Sequence, residues 1–131
     1  MRAMDIAAFN AGWLKAWSEK DTEQLVSVFY HPNVVYKDGQ TTAGLRGADA
    51  LRGYLASLFA ATPPMRYEPD EVWPIPGGFC GRWHCTIALP DGDARYLRGF
   101  DLVLLEEGRI ILNEVYTHNL AQRPDLAAAP A

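Results

Sequence analysis

Asp101 lies in the run Tyr96-Leu97-Arg98-Gly99-Phe100-Asp101-Leu102-Val103-Leu104-Leu105, a carboxylate among residues that pattern as a strand with apolar side chains on both faces. Water is scarce in such a place, and desolvation disfavours the charged form. The carboxyl must therefore find hydrogen-bond donors or hold its proton well above the usual carboxylate range. That makes Asp101 the first candidate for acid–base chemistry. Asp38, in Val34-Val35-Tyr36-Lys37-Asp38-Gly39, is the second. If both carboxyls enter one apolar cavity, like-charge repulsion and desolvation leave one ionised and one protonated, a base and an acid together. Such a pair suits proton abstraction beside a carbonyl followed by stabilisation of the enolate. Asp-Gly is also a common turn pair, so a conformational role for Asp38 stands beside the catalytic one.

Asn113, between Leu112 and Glu114 in an apolar strand, is placed either to orient a substrate carbonyl, to hold Asp101, or to make a cross-strand hydrogen bond. His84 is a candidate ligand contact or base near neutral pH, and equally a satisfied or surface histidine. Trp13, Trp17, Tyr54 and Phe59 form aromatic stripes that suit either the wall of a flat apolar pocket or plain core packing, and Trp83 and Tyr116 share that ambiguity. His31, before Pro32, suits a loop or cap, and His118 a cavity mouth or strand end. Three dispersed histidines have no metal-ligand spacing, so no metal is expected. Cys80 and Cys85 make neither a disulfide framework nor a zinc knuckle, and Cys85 suits buried packing better than nucleophilic catalysis. Gly77-Gly78 and Gly44-x-x-Gly47 do not form a phosphate loop or a dinucleotide fingerprint, so no cofactor is implied.

These residues need a scaffold to bring them together. With 131 residues, 49% of them apolar, the chain suits one compact domain, expected over residues 1–121 with a loose tail over 122–131. A formal charge of −4 without a basic cluster argues against nucleic acid as a partner. The absence of a long apolar run argues against a membrane, and a cytoplasmic location is expected.

Phe9, Trp13, Ala16 and Trp17 repeat at helical spacing from near Asp5. Asp21-Thr22-Glu23-Gln24 resembles a capping box before a short second helix with Leu25, Val28 and Phe29 on its apolar stripe. Val34-Val35-Tyr36 predicts a short strand, and Ala48 to Ala61 a third helix stopped by Thr62-Pro63-Pro64. From residue 67 the period changes to two. Tyr67–Ile75, Phe79–Leu89, Ala94–Leu105 and Arg109–His118 then predict four strands joined by tight turns in a mostly antiparallel meander. Pro69 and Pro74 push the first of these toward an edge or a bulge. The sum is an α+β domain with three N-terminal helices laid on one face of a curved sheet. The strand carrying Asp101 also directs Phe100, Leu102 and Leu104 to the opposite face, which predicts a homodimer packed through sheet faces.

Several local signals occur in a telling order: Trp13-Leu14-Lys15-Ala16-Trp17 with Asp21, Val34-Val35-Tyr36-Lys37-Asp38, Gly47 before the third helix, Gly99-Phe100-Asp101, Glu107-Gly108-Arg109-Ile110 and Val115-Tyr116. Together they resemble the nuclear-transport-factor-two-like superfamily, the cystatin-like α+β cone, over about residues 5 to 120. Within it the SnoaL-like polyketide cyclases and ketosteroid isomerases are the most similar. The resemblance implies an open-ended hydrophobic cone and dimerisation through the outer sheet face. It also implies that Asp38 corresponds to the proton-shuttling carboxylate and Asp101 to the neutral acid that holds the enolate oxygen, with Ile111, Asn113, Val115 and Thr117 on the cone side. The phenol of the isomerases' first helix has no counterpart, because Trp13 occupies its place, which argues against steroid isomerisation. Nor is the arginine two residues before an aspartate of the limonene-epoxide hydrolases present, since Arg98 precedes Asp101 by three.

The expected function is cofactor-independent acid–base catalysis, of isomerase, cyclase or dehydratase type, on a small hydrophobic carbonyl compound. The competing expectations are a non-catalytic, dimeric small-molecule-binding domain and a protein-interaction adaptor, since this fold supports many functions.

Overall fold

A computed structural model describes residues 4–124. Of the expected tail, residues 125–131 lie outside that range. Helix α1 spans Ile6–Ser18 and begins where the Asp5 side chain accepts a hydrogen bond from the Ala8 N–H at 3.0 Å. Asp21 caps α2, Thr22–Gln24, in the same way through the Gln24 N–H at 3.1 Å.

The chain then widens into a π-helical turn over Leu25–Phe29. That wider turn changes which side chains face inward. Leu25, Val26 and Phe29 are buried, whereas Val28, expected on the apolar stripe, is 55% exposed. Helix α3 spans Ala48–Ala61, opening at Gly47, whose φ of 92° is accessible to glycine and strained for other residues.

Six strands form one sheet: β1 Tyr30–Lys37, β2 Leu45–Arg46, β3 Met65–Ile75, β4 Gly78–Ala88, β5 Ala94–Glu106 and β6 Arg109–Leu120. Their order is β2-β1-β6-β5-β4-β3, with β1 parallel to β6 and every other pair antiparallel. The strand expected over Val34–Tyr36 is therefore longer, and it includes His31, which was expected in a loop or cap. Pro32 is tolerated because β1 shifts register between Tyr30 and Val35. His31 caps locally all the same, its Nδ1 accepting the Asn33 N–H at 3.0 Å. Strand β3 lies at the sheet edge and shifts register between Pro69 and Glu71, as its prolines predict.

Alternation in β5 buries Gly99, Asp101 and Val103 beneath the helices and turns Phe100 outward. In β6 a register shift beside Leu105 pairs that residue with Ile110. Ile110 consequently fills the core, fully buried, in place of Ile111, the residue expected there. Among the described residues, no helix is long and apolar enough to cross a membrane.

Candidate functional site

The helices and the concave sheet face enclose a cavity of about 760 Å³ whose wall includes Trp13, Trp17, Tyr36, Asp38, Tyr54, Tyr67, Trp83 and Asp101. Asp101 comes from the middle of β5 and is 2% exposed. Two N–H groups hold its carboxyl: Trp83 Nε1 donates to Oδ1 at 3.0 Å and Asn113 Nδ2 donates to Oδ2 at 3.1 Å. Trp83 lies one strand away on β4, and Asn113 lies on β6. Both depend on the β4-β5-β6 register, which sets Gly99 opposite Trp83. A Cβ at Gly99 would overlap the indole ring, so glycine makes room for the Trp83 donor.

The Asn113 amide is itself oriented from behind. Its Oδ1 accepts the Tyr30 O–H at 2.9 Å, and the Tyr30 oxygen accepts Trp13 Nε1–H at 3.2 Å. Tyr30 and Asn113 are both fully buried. A one-way run of donors thus leads from Trp13 through Tyr30 and Asn113 to Asp101, and it determines which end of the amide meets the carboxyl. Burial pushes the Asp101 pKa up to about 7, while the Asn113 and Trp83 hydrogen bonds pull in the opposite direction. A carboxylate has about four lone-pair sites, and these bonds occupy two of them.

Asp38 has a different environment. Its Oδ2 accepts the phenols of Tyr54 at 2.6 Å and Tyr36 at 2.9 Å. Its Oδ1 accepts the Gln40 N–H at 2.8 Å, the Thr41 N–H at 3.0 Å and the Thr41 hydroxyl at 3.1 Å. Burial raises its pKa, but the bonds from Tyr54, the Gln40 N–H, Tyr36 and Thr41 outweigh that effect and leave it lowered. The turn role and the place on the cavity wall, separate possibilities in the sequence, belong to the same side chain.

Trp13, Trp17 and Tyr54 also reach the wall. Phe59 does not; it packs edge-on to Trp17 at 5.4 Å and supports that ring from the core. His84 is on the wrong face for a ligand contact. It pairs across the sheet with Glu68 and Arg98, its Nδ1 lies 3.9 Å from Asp70, and desolvation lowers its pKa with Asp70 opposing. The strand phase that turns Trp83 and Cys85 inward turns the residue between them outward. His118, on the same outer side, accepts Arg98 Nε–H at 2.9 Å.

Sequence reasoning missed Tyr30 and Tyr36 as parts of the site. Tyr36 shares its inward phase with Val34 in the expected strand, whereas Tyr30 reaches the same face only across the register shift at the exposed Pro32, which alternation in the sequence does not reveal.

Three helices against a bent sheet, with a polar-ended apolar cavity between them, define the class of NTF2-like α+β cones. A putative polyketide cyclase from Acidithiobacillus ferrooxidans is similar at a TM-score of 0.73 and 17% identity, covering 89% of this chain and 91% of that one. An NTF2-like protein of unknown function from Burkholderia pseudomallei is similar at 0.72 and 14%, covering 87% and 91%. A ketosteroid-isomerase-like protein from Catenulispora acidiphila, solved in complex with trimethylamine, is similar at 0.71 and 14%, covering 82% and 83%. At these identities the likeness concerns the fold. No curated protein sequence matches the chain. The family model of the SnoaL-like domain matches residues 11–113, and the chain belongs to that family.

Proposed function

We propose that this SnoaL-like protein is a cofactor-independent acid–base catalyst whose substrate is a small, largely apolar carbonyl compound held in the cone. The observation that carries the reading is the Asp101 carboxyl, buried at the cavity wall, oriented by two N–H donors and left with open lone-pair sites. A carboxyl that titrates at about 7 is poised to take a proton from a carbon beside a carbonyl and return it elsewhere on the same molecule. The Trp83 and Asn113 N–H groups stabilise the carboxylate before transfer, and the aromatic wall excludes water while the enolate exists. Asp38 already accepts five hydrogen bonds, which favours a fixed-charge role over that of the proton shuttle. Its phenols stay protonated, because burial raises the pKa of both Tyr36 and Tyr54 and the bond to Asp38 adds to that rise.

The test is catalysed exchange of the α-hydrogens of an aryl ketone in deuterated water. The expected result is exchange that rises with pH to a midpoint near 7 and falls on the order of a hundredfold in Asp101→Asn. Exchange equal in the wild type and this variant would sink the reading.

A second reading, a non-catalytic binding domain, is favoured by the full donor set of Asp38, which leaves the cavity one free acid–base group instead of two. Tight ketone binding without exchange would select it. Trp73, Phe100 and Tyr116 are 37%, 41% and 61% exposed on the outer sheet face, which supports homodimerisation through that face.

A further inference from the structure

Five aromatic rings form an unbroken arc along the cavity between its two carboxyls. Trp83, which donates to Asp101, lies 4.9 Å from Tyr67 between ring centres. Tyr67 is 5.9 Å from Trp17, Trp17 is 6.5 Å from Tyr36, and Tyr36 is 5.7 Å from Tyr54. Tyr36 and Tyr54 then donate to Asp38. The two ends of the arc differ in what they can do. Asp101 has open lone-pair sites, whereas Asp38 has no room left to accept a substrate proton yet keeps its charge.

The charges around the wall are equally uneven. Among the described wall residues Lys37 is the one cation, and strand alternation turns it with Glu114, 3.7 Å from its Nζ, to the outer side of the rim, where Glu114 also accepts the outward Tyr116 hydroxyl at 3.3 Å. With that pair balanced, the Asp38 charge at the rim has no counter-ion among the described wall residues. Aromatic rings add the negative potential of their faces, and low-dielectric walls strengthen the attraction for a positive group.

We infer that the ligand is an amine-bearing ketone: a carbonyl compound with a protonated or quaternary ammonium group that sits among Trp17, Tyr36 and Tyr54 beside Asp38, with its carbonyl end toward Asp101. This rests on the carbonyl-compound reading above and narrows it to a charge class. Carboxylate and phosphate ligands are disfavoured by the same wall.

Calorimetric binding of a matched pair tests the inference: phenacyltrimethylammonium and its neutral isostere neopentyl phenyl ketone, which differ by a single nitrogen-for-carbon exchange. The cation is expected to bind at least about fivefold more tightly at low salt, with the advantage shrinking as ionic strength rises. Asp38→Asn removes the fixed charge. Glu114→Gln, at the rim and independent of the phenol cluster, leaves Lys37 unpaired. Both variants are expected to reduce the ratio between the two ligands. Equal binding of the pair, or preference for the neutral ketone, overturns the charge class and leaves the carbonyl reading standing; failure of both ligands to bind overturns the two together.

Discussion

Tyr30→Phe removes a single oxygen from a residue that is fully buried and does not line the cavity, yet it should change how Asp101 titrates. The lost hydroxyl accepts Trp13 Nε1–H at 3.2 Å and donates to Asn113 Oδ1 at 2.9 Å, so two buried groups lose a partner. Each orphaned group costs about 1–3 kcal/mol, which places the total destabilisation at about 2–6 kcal/mol. More telling is the amide. Without the Tyr30 donor nothing holds Asn113 Oδ1 away from Asp101, and rotation brings that oxygen against a carboxyl oxygen. Only a protonated Asp101 can meet it favourably. Losing a hydrogen bond to the charged form is worth about 1.5–3 kcal/mol, and one pH unit corresponds to about 1.4 kcal/mol. The Asp101 midpoint should therefore rise from about 7 by roughly one to two pH units. Carbon-detected NMR of labelled aspartate carboxyls measures this in the ligand-free protein, so the result does not depend on any substrate. Leu51→Ala is the control, since it empties part of the core without entering the hydrogen-bond run. A Tyr30→Phe protein that is destabilised but titrates like the wild type would refute the orienting role.

The Asp101 pKa of about 7 lies above its ordinary 3.8, so between those values the folded state holds a proton that the unfolded chain releases. The stability tied to the neutral carboxyl is complete below the lower value and lost as pH rises through the higher one. Denaturant unfolding should consequently show the wild type losing on the order of a few kcal/mol relative to Asp101→Asn between about pH 4 and pH 8. Asp38 has the opposite sign: its lowered pKa gives stability that is present above 3.8 and lost as pH falls through the folded value. Tyr54→Phe deletes the 2.6 Å donor, so the Asp38 carboxyl should titrate at higher pH and acid unfolding should begin earlier, both followed by NMR and circular dichroism. Gly99→Ala forces a methyl into the Trp83 ring; about 1–3 kcal/mol of stability should be lost by thermal unfolding, and the Asp101 midpoint should rise because its indole donor is displaced.

The order of helices and strands was legible because the signals are local. Asp5 and Asp21 cap within three residues, Pro63 and Pro64 end α3 on the spot, and period-two alternation needs no knowledge of neighbours. Departures occur where a local rule meets a non-local one. The π-helical turn over Leu25–Phe29 turns Val28 to the surface immediately before the chain enters β1, whose pairing with β6 is a long-range contact. Likewise, the register shift beside Leu105 exchanges Ile111 for Ile110, and no property of either isoleucine foretells it. The face of His84, by contrast, was legible, since Phe79, Trp83, Cys85 and Ile87 alternate with Arg82, His84 and Thr86 and period two alone sets that phase.

The same distinction separates the two carboxyls. The donors to Asp38 are mostly close in sequence, two to three residues away for Tyr36, Gln40 and Thr41, so a tight turn of Asx type suffices to build most of its shell. Such a shell survives small changes in the rest of the fold and fixes an anion. Asp101 takes its donors from 18 residues before and 12 residues after it, on the two flanking strands, and the orienting phenol comes from β1, 83 residues from the asparagine it holds. Its proton affinity is accordingly a property of the assembled sheet. Burial raises it and two fixed N–H groups moderate it, so the carboxyl titrates near neutrality, far from both a free aspartate and a permanently protonated acid. A proton-transfer group needs that intermediate affinity, and a charge that merely positions a ligand does not. The division of labour we propose for the two aspartates thus rests on where each finds its donors.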